Sequence, residues 1–326
     1  MRRKRILHYA ALAAILALVV VLIYSGFRIL ESTVFSKKEQ APVVHSSKTI
    51  IRDGVAYFPR QDLDIYLLMG IDRYGPMESS GSYNNDGEAD AVMVLAFDKK
   101  DETVSILALN RDTMVHMPIL GLGGKAAGTA YGQLALSHTY GSGLKDSCEN
   151  TKKTVSDLLM GVTIDHYVAM NMDGIAMIND AVGGVEVVVE EDFSQVDASI
   201  PMGRTVLMGD QAISYVRIRK DLGDQLNITR MDRQKQYMEN FLAALKEKAA
   251  GSTTFGAKVF EDVSPYLVTD CSTTVLSSAL DDYADYTVKE IVSPRGANLK
   301  GEEFMEFYVD EADLEALTLR LFYAPK

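Results

Sequence analysis

Apolar and polar positions along this chain fall into blocks of different period. Residues 6–27, ILHYAALAAILALVVVLIYSGF, run without a formal charge. A helix of about 20 apolar residues crosses the hydrocarbon of a bilayer, so the block predicts a transmembrane anchor. A cleaved leader would have a shorter apolar core ending in small residues, whereas this block continues through bulky Val, Leu, Ile and Tyr. Residues 28–60 lose the pattern and read as a stalk or linker. Short charge-free runs begin at Ile65–Met69, the signature of strands buried on both faces. The folded domain is therefore expected over residues 61–326.

Within that domain two apolar runs, 91–97 and 103–109, flank the polar turn DKKDE, a hairpin signal. YGQLALSHTYG and CENTKKTVSDLLMG read as helices, the second closed by Gly161. IDHYVAMN reads as a strand, MDGIAMINDAV as a helix, VEVVV after Gly183-Gly184 as a strand, and GDQAISYVRIRK and ITRMDRQKQYMENFLAALKEKAA as helices. Strands and helices interleaved in this way predict a layered α/β domain with a central sheet.

Charge adds direction. The chain of 326 residues has a formal net charge of −12, yet residues 1–28 carry Arg2, Arg3, Lys4, Arg5 and Arg28 and no acid. The basic tetrad predicts a cytoplasmic tail of residues 1–5, which sends everything after the anchor outside the cell. Residues 29–326 hold 28 basic and 45 acidic side chains, and that sign disfavours a nucleic-acid partner. Cys148 and Cys271 are the only cysteines; their number permits one disulfide or two free thiols and offers no zinc spacing.

The hairpin brings chemistry together. With 91–97 and 103–109 paired antiparallel, Asp90 before the first strand and Arg111 after the second become neighbours. Asp72 reaches the same edge if its strand runs parallel to 105–109. Strand ends of α/β sheets are common ligand sites. Two carboxylates beside a guanidinium fit Mg²⁺ or Mn²⁺ together with an anionic substrate, Asp72 and Asp90 on the metal and Arg111 on a phosphate. The same residues also fit an ion pair that pins loop ends. In the helix after Thr229, Met238, Phe241, Leu242 and Leu245 form an apolar stripe, and steps of four back from Met238 give Gln234 and Arg230. With Arg217, Arg219 and Arg233, four guanidiniums fall within seventeen residues of an acidic domain. Arginine's planar fork suits paired hydrogen bonds to phosphate. His116 and His138 lack the partners of a zinc motif, and GLGGK lacks the frame of a phosphate loop.

In order along the chain, LLMGID, EADAVMVLAFD, ILALNRDTMV, LLMGVTIDHYVAMNMDGIAMINDAVGGVEVVV, GDQAISYVRIRK and RMDRQ resemble the LytR-CpsA-Psr cell-wall ligases of Gram-positive bacteria. The resemblance implies a three-layer αβα fold with a central mixed sheet. It implies transfer of a glycopolymer, teichoic acid or capsule-like, from a polyprenyl-pyrophosphate carrier to peptidoglycan outside the membrane. It assigns Asp72 and Asp90 to a metal, and Arg111, Arg217, Arg219 and Arg230 with Gln234 to the pyrophosphate; Arg233 is expected to join them as a member of the arginine cluster. Asp112 either positions Arg111 or acts as a base. Two positions depart from the pattern: Glu88 stands in GEAD where the family has Arg, and Asn227 replaces an acid, with Asp224 its substitute. A non-catalytic lipid-carrier or wall-binding protein of the same fold, and a metal-dependent pyrophosphatase, are the competing readings.

Overall fold

The computed structural model describes residues 49–121, 124–217, 255–272, 286–301 and 304–325, together with Tyr283 and eight helical positions between 233 and 248. The anchor block 6–27 and residues Arg219, Asp224, Asn227, Arg230 and Gln234 lie outside the described residues, as does the side chain of Arg217. Among the described residues no helix is long and apolar enough to cross a membrane. The chain divides into two compact units. One holds the described residues up to 170, the segment 267–271 and everything from 286 on. The other holds those between 171 and 266, with 272 and 283.

The first unit is built on a six-stranded mixed sheet, whose strands run across it in the order Leu267–Thr269, His166–Asn171, Leu63–Ile71, Ala89–Asp98, Thr103–Leu109 and Thr287–Val292. Strand β3 (Leu63–Ile71) pairs antiparallel with β4 (Ala89–Asp98), and β4 pairs antiparallel with β5 (Thr103–Leu109). Hence β3 and β5 run the same way and end at one edge. Strand β12 (Thr287–Val292) lies parallel to β5, while the three-residue β11 (Leu267–Thr269) lies antiparallel to β8 (His166–Asn171). The expected hairpin is present with its turn at Asp98–Glu102. The charge-free run predicted at Ile65–Met69 lies inside the longer strand β3, in which eight of nine residues are buried and Asp64 is the exception.

Alternation decides which side chains meet. Leu63, Ile65, Leu67, Met69 and Ile71 point to one face. There they join Val92, Val94 and Leu107 in a core closed by helix α1 (Lys145–Leu158) and a C-terminal helix (Glu311–Phe322). The predicted end of α1 is observed, for Met160 and Gly161 both take positive φ. The second unit contains α2 (Met172–Ala181), β9 (Val185–Val189) and α3 (Asp210–Arg217), each as predicted in type, and β10 (Gly203–Leu207), an unpredicted strand that pairs antiparallel with β9.

Two segments differ from expectation. Residues 50–59, assigned by composition to the stalk, form β1 (Ile50–Arg52) and β2 (Val55–Pro59) around an Asp53–Gly54 turn; β2 pairs with β15 (Tyr323–Pro325). The stretch YGQLALSHTYG is not a helix. Tyr131–Gln133 end strand β7 (Ala126–Gln133), which pairs with β6 (Met114–Leu120), and only Leu134–Ser137 make a single tight turn. The reason lies in the backbone donors. Leu134 N–H donates to Thr113 O at 2.8 Å and Ala135 N–H to Arg111 O at 3.0 Å, so these groups brace the end of β5 instead of propagating a helix.

Candidate functional site

The tip of β5 is a tight turn. Thr113 N–H and Oγ1–H both donate to Asn110 O, at 3.0 and 2.6 Å, and Asn110 Oδ1 accepts from Asp112 N–H at 2.9 Å. With Ala135 holding the Arg111 carbonyl, the arginine's backbone is fixed on both sides. Its guanidinium then meets three carboxylates. Nη1 donates to Asp90 Oδ1, Nη2 to Glu88 Oε2 at 2.8 Å, and Nε to Asp112 Oδ1 at 3.3 Å. Burial lowers the Arg111 pKa, but Asp90, Glu88 and Asp112 outweigh it and raise the pKa above the usual value. The adjacency of Asp90 and Arg111 expected from the hairpin is therefore present. Asp72 follows β3 at the same edge, where its N–H donates to Glu88 O at 2.9 Å.

Two hairpins complete the surroundings, β6–β7 and the antiparallel pair of β13 (Gly296–Lys300) with the strand that follows it. Gln133 Nε2 donates to Asp112 Oδ1 and to Met305 O, both at 2.8 Å. Phe307 in β14 (Met305–Val309) donates its N–H to Asp112 O at 2.9 Å. Asp112 is thus tied to Arg111, Gln133 and the β14 backbone, the bonding of a residue that positions the arginine. Sequence reasoning missed Gln133, because nothing local links position 133 to position 112.

The loop from Arg73 to Glu88 is anchored by Asn85. Its buried Nδ2 lies 2.9 Å from both His138 O and Gly141 O, while its Oδ1 accepts from Gly87 N–H at 2.8 Å. A Cβ on Gly87 would stand 3.0 Å from Asn85 Oδ1 and from Ile71 Cγ2, so glycine lets the loop close down just before Glu88. His138, excluded from a zinc motif by its spacing, is a buried ring whose Nδ1 lies 2.7 Å from Gly87 O. Burial pushes its pKa down to about 4. The unfolded chain binds this proton near pH 6.5, the folded one only near 4, so stability falls as pH drops through that window and is unaffected above it. The expected loss is about 3 kcal/mol by pH 4. Urea midpoints measured from pH 7 to pH 4 test this, and His138→Gln should flatten the slope.

Arg233 is a correction. It was grouped with the pyrophosphate arginines, yet it is only 6% exposed. Its Nε lies 2.9 Å from Glu191 Oε2, its Nη1 donates to Tyr215 O at 2.6 Å, and its guanidinium carbon sits over the rings of Phe193 and Tyr215. Steps of four lead from Arg233 to Tyr237 and Phe241, both 2% exposed, so the inward stripe of this helix passes through Arg233. Both cysteines are free thiols, Cys148 buried and Cys271 half-buried.

A model of the LytR_cpsA_psr family matches residues 30–321. The polyisoprenyl-teichoic acid–peptidoglycan teichoic acid transferase TagV of Bacillus subtilis is 28% identical over 297 residues, covering 88% of this chain and 70% of that protein. The transferase TagU of Halalkalibacterium halodurans is 30% identical over 231 residues, covering 70% of this chain and 68% of that one. The crystal structure of B. subtilis TagV superposes with a TM-score of 0.56 at 27% identity, over 80% of this chain and 96% of that one.

Proposed function

This chain belongs to the LytR-CpsA-Psr family, and on that premise we propose that it is a membrane-anchored transferase moving a teichoic acid or related glycopolymer from a polyprenyl-pyrophosphate carrier to peptidoglycan. The observation that carries this reading is the Arg111 guanidinium, fixed at the tip of β5 and facing the sheet edge where Asp72 and Asp90 also lie. In the substrate-bound state its planar fork would take a diphosphate oxygen pair in place of carboxylates, stabilising the charge that builds on the leaving phosphate. Asp112 keeps the fork oriented. Arg217, Arg219, Arg230 and Gln234 are proposed as further diphosphate ligands, and Asp224 as the catalytic acid standing in for the one that Asn227 replaces. Residues 6–27 would hold the enzyme at the membrane that carries the lipid, with residues 1–5 in the cytoplasm and the folded part outside.

The edge also suits a divalent ion. Glu88, Asp90 and Asp112 surround one guanidinium, so the described groups there carry a surplus of negative charge, and every donor is a hard oxygen. Asp72 and Asp90 would hold Mg²⁺ or Mn²⁺, which when bound would neutralise diphosphate oxygens.

Glu88 is turned towards the site, for it binds Arg111 directly. It therefore competes with a diphosphate for the same fork. That contact also favours the second reading, a carrier-binding protein without turnover. Glu88→Gln is expected to lower the KM for the lipid-linked donor roughly two- to fivefold, the ~0.5–1 kcal/mol of a half-exposed ion pair. Steady-state kinetics on the two proteins would show it. The function itself is tested with full-length protein in detergent, a short polyprenyl-pyrophosphate-linked oligosaccharide, Mg²⁺ and peptidoglycan. Labelled polymer should become covalently attached to the glycan. Binding without attachment would establish the second reading, and release of phosphate-terminated polymer without acceptor would indicate a pyrophosphatase.

A further inference from the structure

A second cluster of ligand-type side chains lies at the opposite edge of the main sheet. Asp165 N–H donates to Ile65 O at 2.9 Å, and Ile65 N–H to Asp165 Oδ2 at 2.7 Å. The start of β8 thus sits beside the start of β3, whereas Asp72 follows the end of β3. In the β11–β8 register Leu267 opposes Met170 and Thr269 opposes Val168. Continuing that register by two residues puts Asp270 opposite Tyr167 and Cys271 opposite His166. One nitrogen of His166, one oxygen of Asp270 and the sulfur of Cys271 lie within 4.8 Å of one another. The cluster is remote from the Arg111 edge and no part of the proposed transfer uses it.

We propose that His166, Asp270 and Cys271 form a binding site for a borderline divalent metal ion of the Zn²⁺ type, which fastens β11 to β8. Imidazole nitrogen, carboxylate oxygen and thiolate sulfur are the donors that Zn²⁺ takes, and three protein ligands leave a fourth position for water. Ligand atoms around tetrahedral Zn²⁺ stand roughly 3.5 Å apart, given metal–ligand lengths of about 2.0–2.3 Å. The cluster needs only a contraction of side-chain size to reach that spacing.

Two independent features prepare it. The buried His166 Nδ1 atom faces Asp270 Oδ1 at 3.5 Å, an ion-pair contact whose geometry falls short of a hydrogen bond. A metal between the two atoms would replace that long contact with two short ones. The surroundings also orient the donors. Asp270 Oδ1 accepts from Tyr167 N–H at 2.8 Å and Oδ2 from Lys152 Nζ at 3.1 Å. The Tyr66 ring lies against that of His166, with centroids 5.3 Å apart. Outer hydrogen bonds of this kind set the direction and basicity of metal ligands.

The fold gives the ion a task. Residues 267–271 are a five-residue visit of the chain to the first unit, with described residues of the second unit on either side. Only three of those residues pair in the sheet, at an edge. Binding would release two protons to solvent, one from the Cys271 thiol and one from the His166 ring paired with Asp270, place the thiolate, imidazole and carboxylate on the ion, and stabilise the bound segment by mass action.

Co²⁺ titration of the purified full-length protein in detergent tests the proposal. A single equivalent should produce a near-ultraviolet sulfur-to-cobalt charge-transfer band, which Zn²⁺ then displaces. Cys271→Ser should abolish the band, His166→Gln should weaken Co²⁺ binding at least tenfold, and Cys148→Ser should leave both unchanged. Lys152→Met should weaken binding about ten- to hundredfold, the usual cost of an outer-shell loss. A wild-type protein with native circular dichroism and no band, or a band that survives Cys271→Ser, would overturn the proposal.

Discussion

Arg111→Ala is expected to reduce glycopolymer transfer by about 10²–10³-fold, the effect of deleting one donor aimed at developing charge. The fold should survive, because the carboxylates it leaves behind, Glu88, Asp90 and Asp112, are each 21–36% exposed in their side chains and can be rehydrated. Arg111→Lys keeps the charge but loses the paired geometry, so it should recover only part of the rate. The measurement is covalent transfer of labelled oligosaccharide to peptidoglycan, with thermal melting run in parallel. Loss of transfer with little change in melting is the expected pattern.

Arg233→Ala is expected to give the opposite pattern. Removing the guanidinium leaves Glu191 largely buried without its cation, and breaking such a pair costs about 3–5 kcal/mol. The Phe193 and Tyr215 rings also lose the group packed over them. Melting should fall by about 10 °C, as a loss of that size implies for a domain of this length. The double substitution Arg233→Met with Glu191→Leu should restore most of the stability, since well-packed apolar side chains often replace a buried ion pair without loss. Transfer by that double variant, assayed below its melting point, should remain near wild type. A double variant that is stable and inactive would return Arg233 to the diphosphate.

These two arginines also mark how far the sequence could be read. The Asp90–Arg111 contact follows from strand alternation and one hairpin, and both are local signals, so the geometry of that edge was legible in the run from Ala89 to Asp112. Arg233 was not. The spacing from Met238 put Gln234 and Arg230 on the inward stripe and passed over Arg233, and what Arg233 faces is set by Glu191, Phe193 and Tyr215, residues at other places in the chain whose approach no periodicity encodes. The turn at Leu134–Ser137 was misread as helix because Leu and Ala favour helix. Its amide groups were claimed instead by the carbonyls of Arg111 and Thr113, a tertiary choice. Strands β1 and β2 were hidden for a similar reason, since β2 finds its partner only at the far C-terminus. The His166–Asp270–Cys271 cluster had no local signal either, with more than a hundred residues separating its two halves.

Electron density for the protein co-crystallised with a short-chain polyprenyl-pyrophosphate oligosaccharide and Mg²⁺ tests the Arg111 assignment most directly. The diphosphate should lie within hydrogen-bonding distance of both terminal nitrogens of Arg111, with the Glu88 carboxylate displaced from that guanidinium. A diphosphate seated elsewhere, with Arg111 still bound to Glu88 and Asp90, would contradict it.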